Sequence, residues 1–425
     1  MIALSASAAE PFTAGERRLA TTSPMAGARH DGDAALRIIV WYPASAPEIQ
    51  VAVGPPGSPI FLAGAVAKDA PFADVARHPL VLLSHGFGGS ARQMTWLGAA
   101  LARHGYVAVA VDHPGANSID GVSDAGAYAP WAQATDLRAA LDFALNQPEI
   151  AQHIDSGRVG VAGFALGGYA SLLAVGARSD FNHFAAFCDG PDRDAMCNKH
   201  LEYPLDYRRR AEVLARPGLE ALAAEESSDL SDPRIKALFL IAPAFVEALA
   251  PASLSRIRAP VGIVLGAADP IAPPATNGRL VARLIPGAKL RVLSGVGHYD
   301  FLSECGPGGF KAVAPLCADG AGATRGRTHD VTEAEGIAFF DTALSGGRNA
   351  AAISSANQYN FAIARTAVPR RAPRPSRQPC CFAPVAEVGN RPTSGRSGPC
   401  HAGPGIGPSA ASACLRVEST FLTPQ

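Results

Sequence analysis

The chain has 425 residues, 48% of them hydrophobic and 17% charged, with 37 basic against 37 acidic side chains. These totals exclude a large disordered acidic protein and a basic nucleic-acid binder, and no stretch approaches the ~20 consecutive apolar residues of a membrane span. The neutrality is a cancellation: residues 1–347 carry 28 basic and 35 acidic side chains and residues 348–425 carry 9 and 2, so the chain is two unlike pieces.

The first nine residues, MIALSASAA, lack a charged start and are too short for the apolar region of a secretory signal. Ala6-Ser7-Ala8 followed by Ala9-Glu10-Pro11 nevertheless has the form of a signal cleavage site. Residues 1–14 are read as a signal-peptide remnant, with an ordinary frayed terminus as the alternative. Residues 36–43 (LRIIVWYP) then predict a strand stopped by Pro43. Short apolar runs at 80–84 and 106–111 predict two more, with a helix over 91–104 between them. Pro130 opens a helix in which Leu137, Leu141, Ala144 and Leu145 recur at helical spacing, ending near Gln147-Pro148. A strand at 158–163 runs straight into a helix of small residues that begins at Leu166. Strands at 237–241, 261–265 and 290–293 follow, with a helix over 275–284. A last helix is expected to open at Thr332, with Glu335 at capping-box spacing, and to end near Leu344.

Strands with short apolar runs that alternate with helices imply an α/β fold, with a mostly parallel sheet covered on both faces. Active groups in such sheets gather at the carboxyl ends of the strands. The places to search are therefore residues 84–90, 112–115, 163–167, 266–269 and 295–300.

Gly163-Phe164-Ala165-Leu166-Gly167 has the glycine spacing of the nucleophile elbow G-x-S-x-G, with Ala165 where the serine belongs. A glycine-rich turn that serves packing alone would look the same. Two further residues give the motif meaning: Asp269 follows the 261–265 strand and His298 follows the 290–293 strand, in the chain order nucleophile, acid, histidine. A histidine takes the nucleophile's proton and returns it to the leaving group, while a carboxylate fixes its tautomer. The loop Ser84-His85-Gly86-Phe87-Gly88-Gly89-Ser90 supplies backbone donors for a developing oxyanion. Phe87 N–H and Leu166 N–H are assigned to that hole, and His85 is read as a structural residue beneath the loop. The loop lacks the G-K-[ST] ending of a phosphate cradle.

The segments LRIIVWYP, LLSHGFGGS, AVAVDHPG, GVAGFALGGYA, LGAADPIAP and GVGHYDF together resemble the α/β-hydrolase superfamily. Within it they resemble bacterial dienelactone-hydrolase-like and platelet-activating-factor acetylhydrolase-like esterases, over roughly residues 15–344. The resemblance implies a serine carboxylic-ester hydrolase acting on a small-molecule ester without metal or organic cofactor. Its nucleophile position is Ala165, its acid Asp269, its base His298 and its oxyanion hole Phe87 and Leu166. Ser84, Ser90 and Ser171 are not placed to act at the elbow tip. Loss of a triad serine costs ~10⁶ in turnover, so the chain as written is expected to be inactive. A substitution that traps substrate and a decayed natural copy both fit; the intact Asp269, His298 and oxyanion loop favour the first. Two other functions compete: amide or peptide hydrolysis by the same machinery, and a non-catalytic binding protein that keeps the pocket.

Residues 178–235 form a connection far longer than usual and are expected to roof the site, with Arg208 to Arg210 giving at most a weak preference for anionic substrates. Trp131, Phe87, Tyr299 and Phe301 lie near strand-end loops, and Trp131 and Tyr299 are taken as substrate-binding. Cys188 with Cys197 and Cys305 with Cys317 are expected to form two local disulfides, which suits a periplasmic or secreted protein, with a cytoplasmic one as the alternative. The competing zinc site would need a tighter cysteine spacing.

Residues 348–425 hold ten prolines, four of the eight cysteines and no apolar periodicity. That composition predicts a disordered tail. With 32 Arg against 5 Lys in the chain, a GC-rich coding sequence is implied, and the tail is read as a readthrough or frameshifted extension beyond a hydrolase domain of residues 15–347.

Overall fold

The computed structural model describes residues 12–198, 206–318 and 324–345, all within one compact unit. The tail and most of the signal-like segment lie outside the described residues. Eleven strands build one sheet: β1 (Thr13–Thr22), β2 (Ala35–Ala44), β3 (Ile49–Val53), β4 (Phe61–Lys68), β5 (His78–Ser84), β6 (Val107–Val111), β7 (Ile154–Phe164), β8 (Ile235–Ile241), β9 (Val261–Gly266), β10 (Lys289–Leu293) and β11 (Glu304–Cys305). Their order is β10-β9-β8-β7-β5-β6-β2-β1-β4-β11, with β3 against β4.

The half from β10 to β6 is parallel. The other half is mainly antiparallel: β1 on β2, β2 on β6, and β3 and β11 on β4. The expectation of a mostly parallel sheet therefore holds for the half that carries the site. Leu80–Leu83, Val107–Val111 and Val159–Ala162 are buried throughout because helices cover both faces there. The covering helices are α1 (Thr95–Arg103), α2 (Ala132–Asn146), α3 (Leu166–Ala174), α4 (Phe181–Asp189), α5 (Glu220–Glu225), α6 (Gly278–Leu284) and α7 (Arg325–Ala343).

Two expectations are corrected. The last helix opens at Arg325, seven residues before Thr332, because the Thr324 hydroxyl caps it by accepting Arg327 N–H at 3.4 Å. Thr332 lies inside the helix, its hydroxyl donating to the Thr328 carbonyl at 2.7 Å, and Glu335 faces Arg291 at 3.6 Å rather than reaching back as a cap. Secondly, β2 runs through Pro43 to Ala44. Pro43 lacks an N–H, but its carbonyl still accepts Ala73 N–H at 2.9 Å.

After β5 the chain moves outward to β6, then returns past β5 to lay β7 on its other side. The reversal opens a crevice beyond the carboxyl ends of β5 and β7. Register keeps those ends level, Ser84 opposite Gly163, so the loop after one strand lies against the turn after the other.

Candidate active site

The turn after β7 carries a strained residue. Ala165 has φ 51° and ψ −116°, a conformation that costs a residue with a Cβ about 1–3 kcal/mol. Surrounding bonds impose it: Ala165 N–H donates to the Ile241 carbonyl at 3.0 Å, and its own carbonyl accepts Gly168 N–H at 2.9 Å and Ala244 N–H at 3.1 Å. The flanking glycines are required by contact. A Cβ on Gly163 would collide with the Gly167 carbonyl, and one on Gly167 with the Ser84 carbonyl. Leu166 begins α3, so its N–H belongs to the first turn, whose amides have no partner within the helix.

The loop after β5 closes over this turn. A Cβ built on Gly86 would stand 3.2 Å from the Ala165 Cβ and 3.0 Å from the Phe164 ring. Phe87, next in the chain, is half-buried. Beneath the loop His85 is buried, and burial followed by the neighbouring His113 pushes its pKa down to about 3. A neutral ring with both nitrogens engaged fits the structural role expected of it.

On the other side, Ala267 N–H donates to Leu293 C=O at 2.8 Å and Ala268 N–H to Val296 C=O at 3.0 Å. These bonds draw the loops after β9 and β10 together. Asp269 Oδ2 then lies 2.7 Å from His298 Nδ1, both residues buried. Asp269 Oδ1 accepts Ile271 N–H at 2.9 Å and Ala272 N–H at 2.8 Å, which fixes the carboxylate. The bond to a carboxylate places the proton on Nδ1, so Nε2 carries the lone pair of the neutral ring. The imidazole packs 5.0 Å from the Phe164 ring, beside Ala165, and half-buried Tyr299 meets it edge-on at 5.7 Å.

Trp131 is corrected. It is wholly buried and its indole N–H donates to the Leu222 carbonyl at 2.9 Å, so it anchors the insertion instead of walling the crevice. The Arg208 to Arg210 run is spent within the insertion, on Asp189, Glu212 and Glu226 respectively. The insertion is tied on both sides of the sheet's carboxyl end. Asp194 accepts from Thr276 in the loop after Asp269. Toward α2, Tyr128 Oη donates to the Asp206 carbonyl at 3.0 Å and Arg216 meets Asp124 at 2.8 Å. Within the insertion Phe181, Phe184 and Tyr207 pack together and against Phe245, with Tyr207 5.2 Å from Phe245.

Cys188 joins Cys197 and Cys305 joins Cys317. Among the described residues, no group of His, Cys, Asp and Glu is placed to hold a metal ion and no helix is long and apolar enough to cross a membrane.

A polar chain that the motifs did not announce lies beside the loop after β5. Ser84 Oγ lies 2.8 Å from His113 Nε2, and His113 Nδ1 lies 3.0 Å from Asp136 Oδ2. Arg29 grips Asp136 at 2.6 and 2.9 Å, and Ser23 donates to it at 2.7 Å. All five are buried. The strand-end position of Asp112-His113 was the one available signal, since Arg29 and Asp136 are remote in sequence.

A parallel half-sheet with a strained strand-to-helix turn and a His–Asp pair on the following loops defines a class of α/β proteins built like hydrolases. The profile of the alpha/beta hydrolase family matches residues 80–306, more than half of the chain, and the chain belongs to that family. It is 31% identical over 102 residues to cutinase 2 of Thermobifida cellulosilytica, covering 24% of this chain and 35% of that protein. Over 98 residues it is 31% identical to a bis(hydroxyethyl) terephthalate hydrolase of Streptomyces coelicolor, covering 23% and 28%. The chain thus spans about a third of the length of the curated relatives it matches. A ferulic acid esterase from Streptomyces cinnamoneus shares the fold, with a TM-score of 0.52, 22% identity and coverage of 81% of this chain and 93% of that one.

Proposed function

We propose that the chain is the serine-to-alanine form of a carboxylic ester hydrolase that works through an acyl-enzyme. The observation that carries this reading is the strained Ala165 beneath Gly86, beside a His298 whose Nδ1 is held by Asp269. With serine at 165, its Oγ attacks the ester carbonyl while His298 Nε2 takes the proton. Phe87 N–H and Leu166 N–H receive the oxyanion. Collapse expels the alcohol, which carries off the proton from His298, and a water activated by the same nitrogen releases the acid. Alanine has no lone pair to begin the sequence, so the present chain binds esters without turning them over.

Relatives named for cutin and terephthalate-ester hydrolysis favour an ester over an amide. The insertion roofs the crevice, and half-buried Tyr299 and Phe87 supply apolar contact to the substrate. The motif set resembles that of dienelactone-hydrolase-like and platelet-activating-factor acetylhydrolase-like esterases. Two disulfides suit a periplasmic or secreted location.

Ala165→Ser assayed on matched p-nitrophenyl esters and anilides tests the reading. Ester turnover at least ~10³ above the present chain is expected. Preference for the anilides would indicate an amidase, and binding without hydrolysis across the panel would indicate a binding protein.

A further inference from the structure

We infer that His85 is a positioning residue that aims the Phe87 N–H at the oxyanion by clamping the carbonyl of the same peptide. The inference deepens the esterase reading and rests on it for its functional consequence.

The tautomer follows from the partners. His113 N–H donates to His85 Nε2 at 3.1 Å, so that nitrogen carries a lone pair and no proton. The proton is therefore on Nδ1, which donates to the Gly86 carbonyl at 2.7 Å. Gly89 N–H donates to the same carbonyl at 3.0 Å. No peptide bond among the described residues is cis. The carbonyl of Gly86 and the N–H of Phe87 thus point to opposite sides of one rigid plane. Two donors that hold the carbonyl down on the buried side turn the N–H to the other side, where Gly86 lies over Ala165.

The clamp has a backing. His113 is kept in place by Asp136 and Ser84, and Asp136 by Arg29, so the amide that meets His85 Nε2 cannot drift. A protonated His85 would lose that contact, and burial keeps its pKa down at about 3, which preserves the clamp across the neutral range. An oxyanion donor fixed before the reaction is worth far more than one that must reorient.

The test separates the two nitrogens. Asparagine places a donor near Nδ1, whereas glutamine reaches only toward Nε2. In the Ala165→Ser protein, His85→Gln is expected to lower kcat on a p-nitrophenyl ester on the order of 10²-fold with KM unchanged, and His85→Asn to recover most of it. Equal kcat in both variants overturns the inference. Two measurements do not depend on turnover. In the chain as it stands, ring ¹⁵N shifts should report a neutral Nδ1–H tautomer from pH 5 to 8, and a charged ring or an Nε2–H tautomer overturns the clamp. The Phe87 amide resonance should move in His85→Gln and stay in His85→Asn. If Ala165→Ser hydrolyses nothing, the esterase reading fails while these resonances still decide the orientation.

Discussion

The Nδ1 of His298 meets the Oδ2 of Asp269 at 2.7 Å, and the other oxygen of that carboxylate is taken by two backbone amides. The aspartate is thus held independently of the histidine, and the histidine's tautomer depends on the aspartate. Asp269→Asn would keep the shape while offering the ring an N–H that favours the wrong tautomer. In the Ala165→Ser background, kcat on an activated ester is expected to fall about 10⁴-fold with little change in KM. A loss under tenfold would remove Asp269 from the role proposed for it.

Ala165 holds a strained backbone conformation in the turn after β7, with φ 51° and ψ −116°. Replacing it by glycine relieves about 1–3 kcal/mol of backbone strain and costs about 0.5–1 kcal/mol in unfolded-chain entropy. Ala165→Gly should therefore be more stable, by about 1 kcal/mol in urea unfolding, and Ala165→Val less stable. Glycine below alanine would mean that the φ of 51° is not strained.

The inner strands of the parallel half were legible because strands buried on both faces read as unbroken apolar runs, whereas β10, at the edge, alternates as KLRVL and was marked only by its Leu-Arg-Val-Leu end. β1 was not legible. Its sequence TAGERRLATT contains Glu16, a charge that reads as exposed yet is buried, paired with Arg92 and accepting from the Trp41 indole at 3.1 Å. The partners lie 76 and 25 residues away, beyond any local pattern. Trp131 misled for the same reason: the Leu222 carbonyl that takes its indole N–H lies 91 residues later in the chain. The first turns of α7 were hidden because RGRTHDV is polar, and His329 is held there by stacking on Trp96 at 4.2 Å.

Stability should fall as acid is added, beginning near neutrality. Burial lowers His85 to about 3 and His329 to about 4, while both titrate near 6.5 in the unfolded chain. Between those values the unfolded state binds protons that the folded state refuses. Each histidine then removes about 1.4 kcal/mol of stability per pH unit as the pH drops through the window. Asp136, whose carboxylate Arg29 and His113 hold below its ordinary range against the effect of burial, adds a further loss below the ordinary carboxylate range. His329→Gln should make the slope of unfolding free energy shallower between pH 4.5 and 6. An unchanged slope would show that His329 is protonated in the folded protein.

The two disulfides close loops of 9 and 12 residues, for which the chain-entropy argument gives about 2–3 kcal/mol each. Cys188→Ala with Cys197→Ala and Cys305→Ala with Cys317→Ala should each lower stability by that amount, measured by denaturant unfolding, and dithiothreitol should have no added effect on a variant lacking both bridges. If neither pair lowers stability, the bridges do not constrain the unfolded chain.

Arg210 makes the strongest claim on the insertion. Its guanidinium lies 4.4 Å from the Phe181 ring and 5.2 Å from the Trp131 ring, and it pairs with Glu226. One side chain thereby joins α2, α4 and the end of α5. A planar guanidinium can stack on two rings while bonding at its edge, and an ammonium cannot do both. Arg210→Lys should therefore behave almost like Arg210→Ala, each speeding limited proteolysis within residues 190–230. In the Ala165→Ser background both should raise KM several-fold and leave kcat nearly unchanged, as expected if the insertion acts as the proposed roof over the substrate. A fall in kcat at constant KM would instead place Arg210 in control of the catalytic loops, and an unaltered protease pattern would deny it the anchoring role.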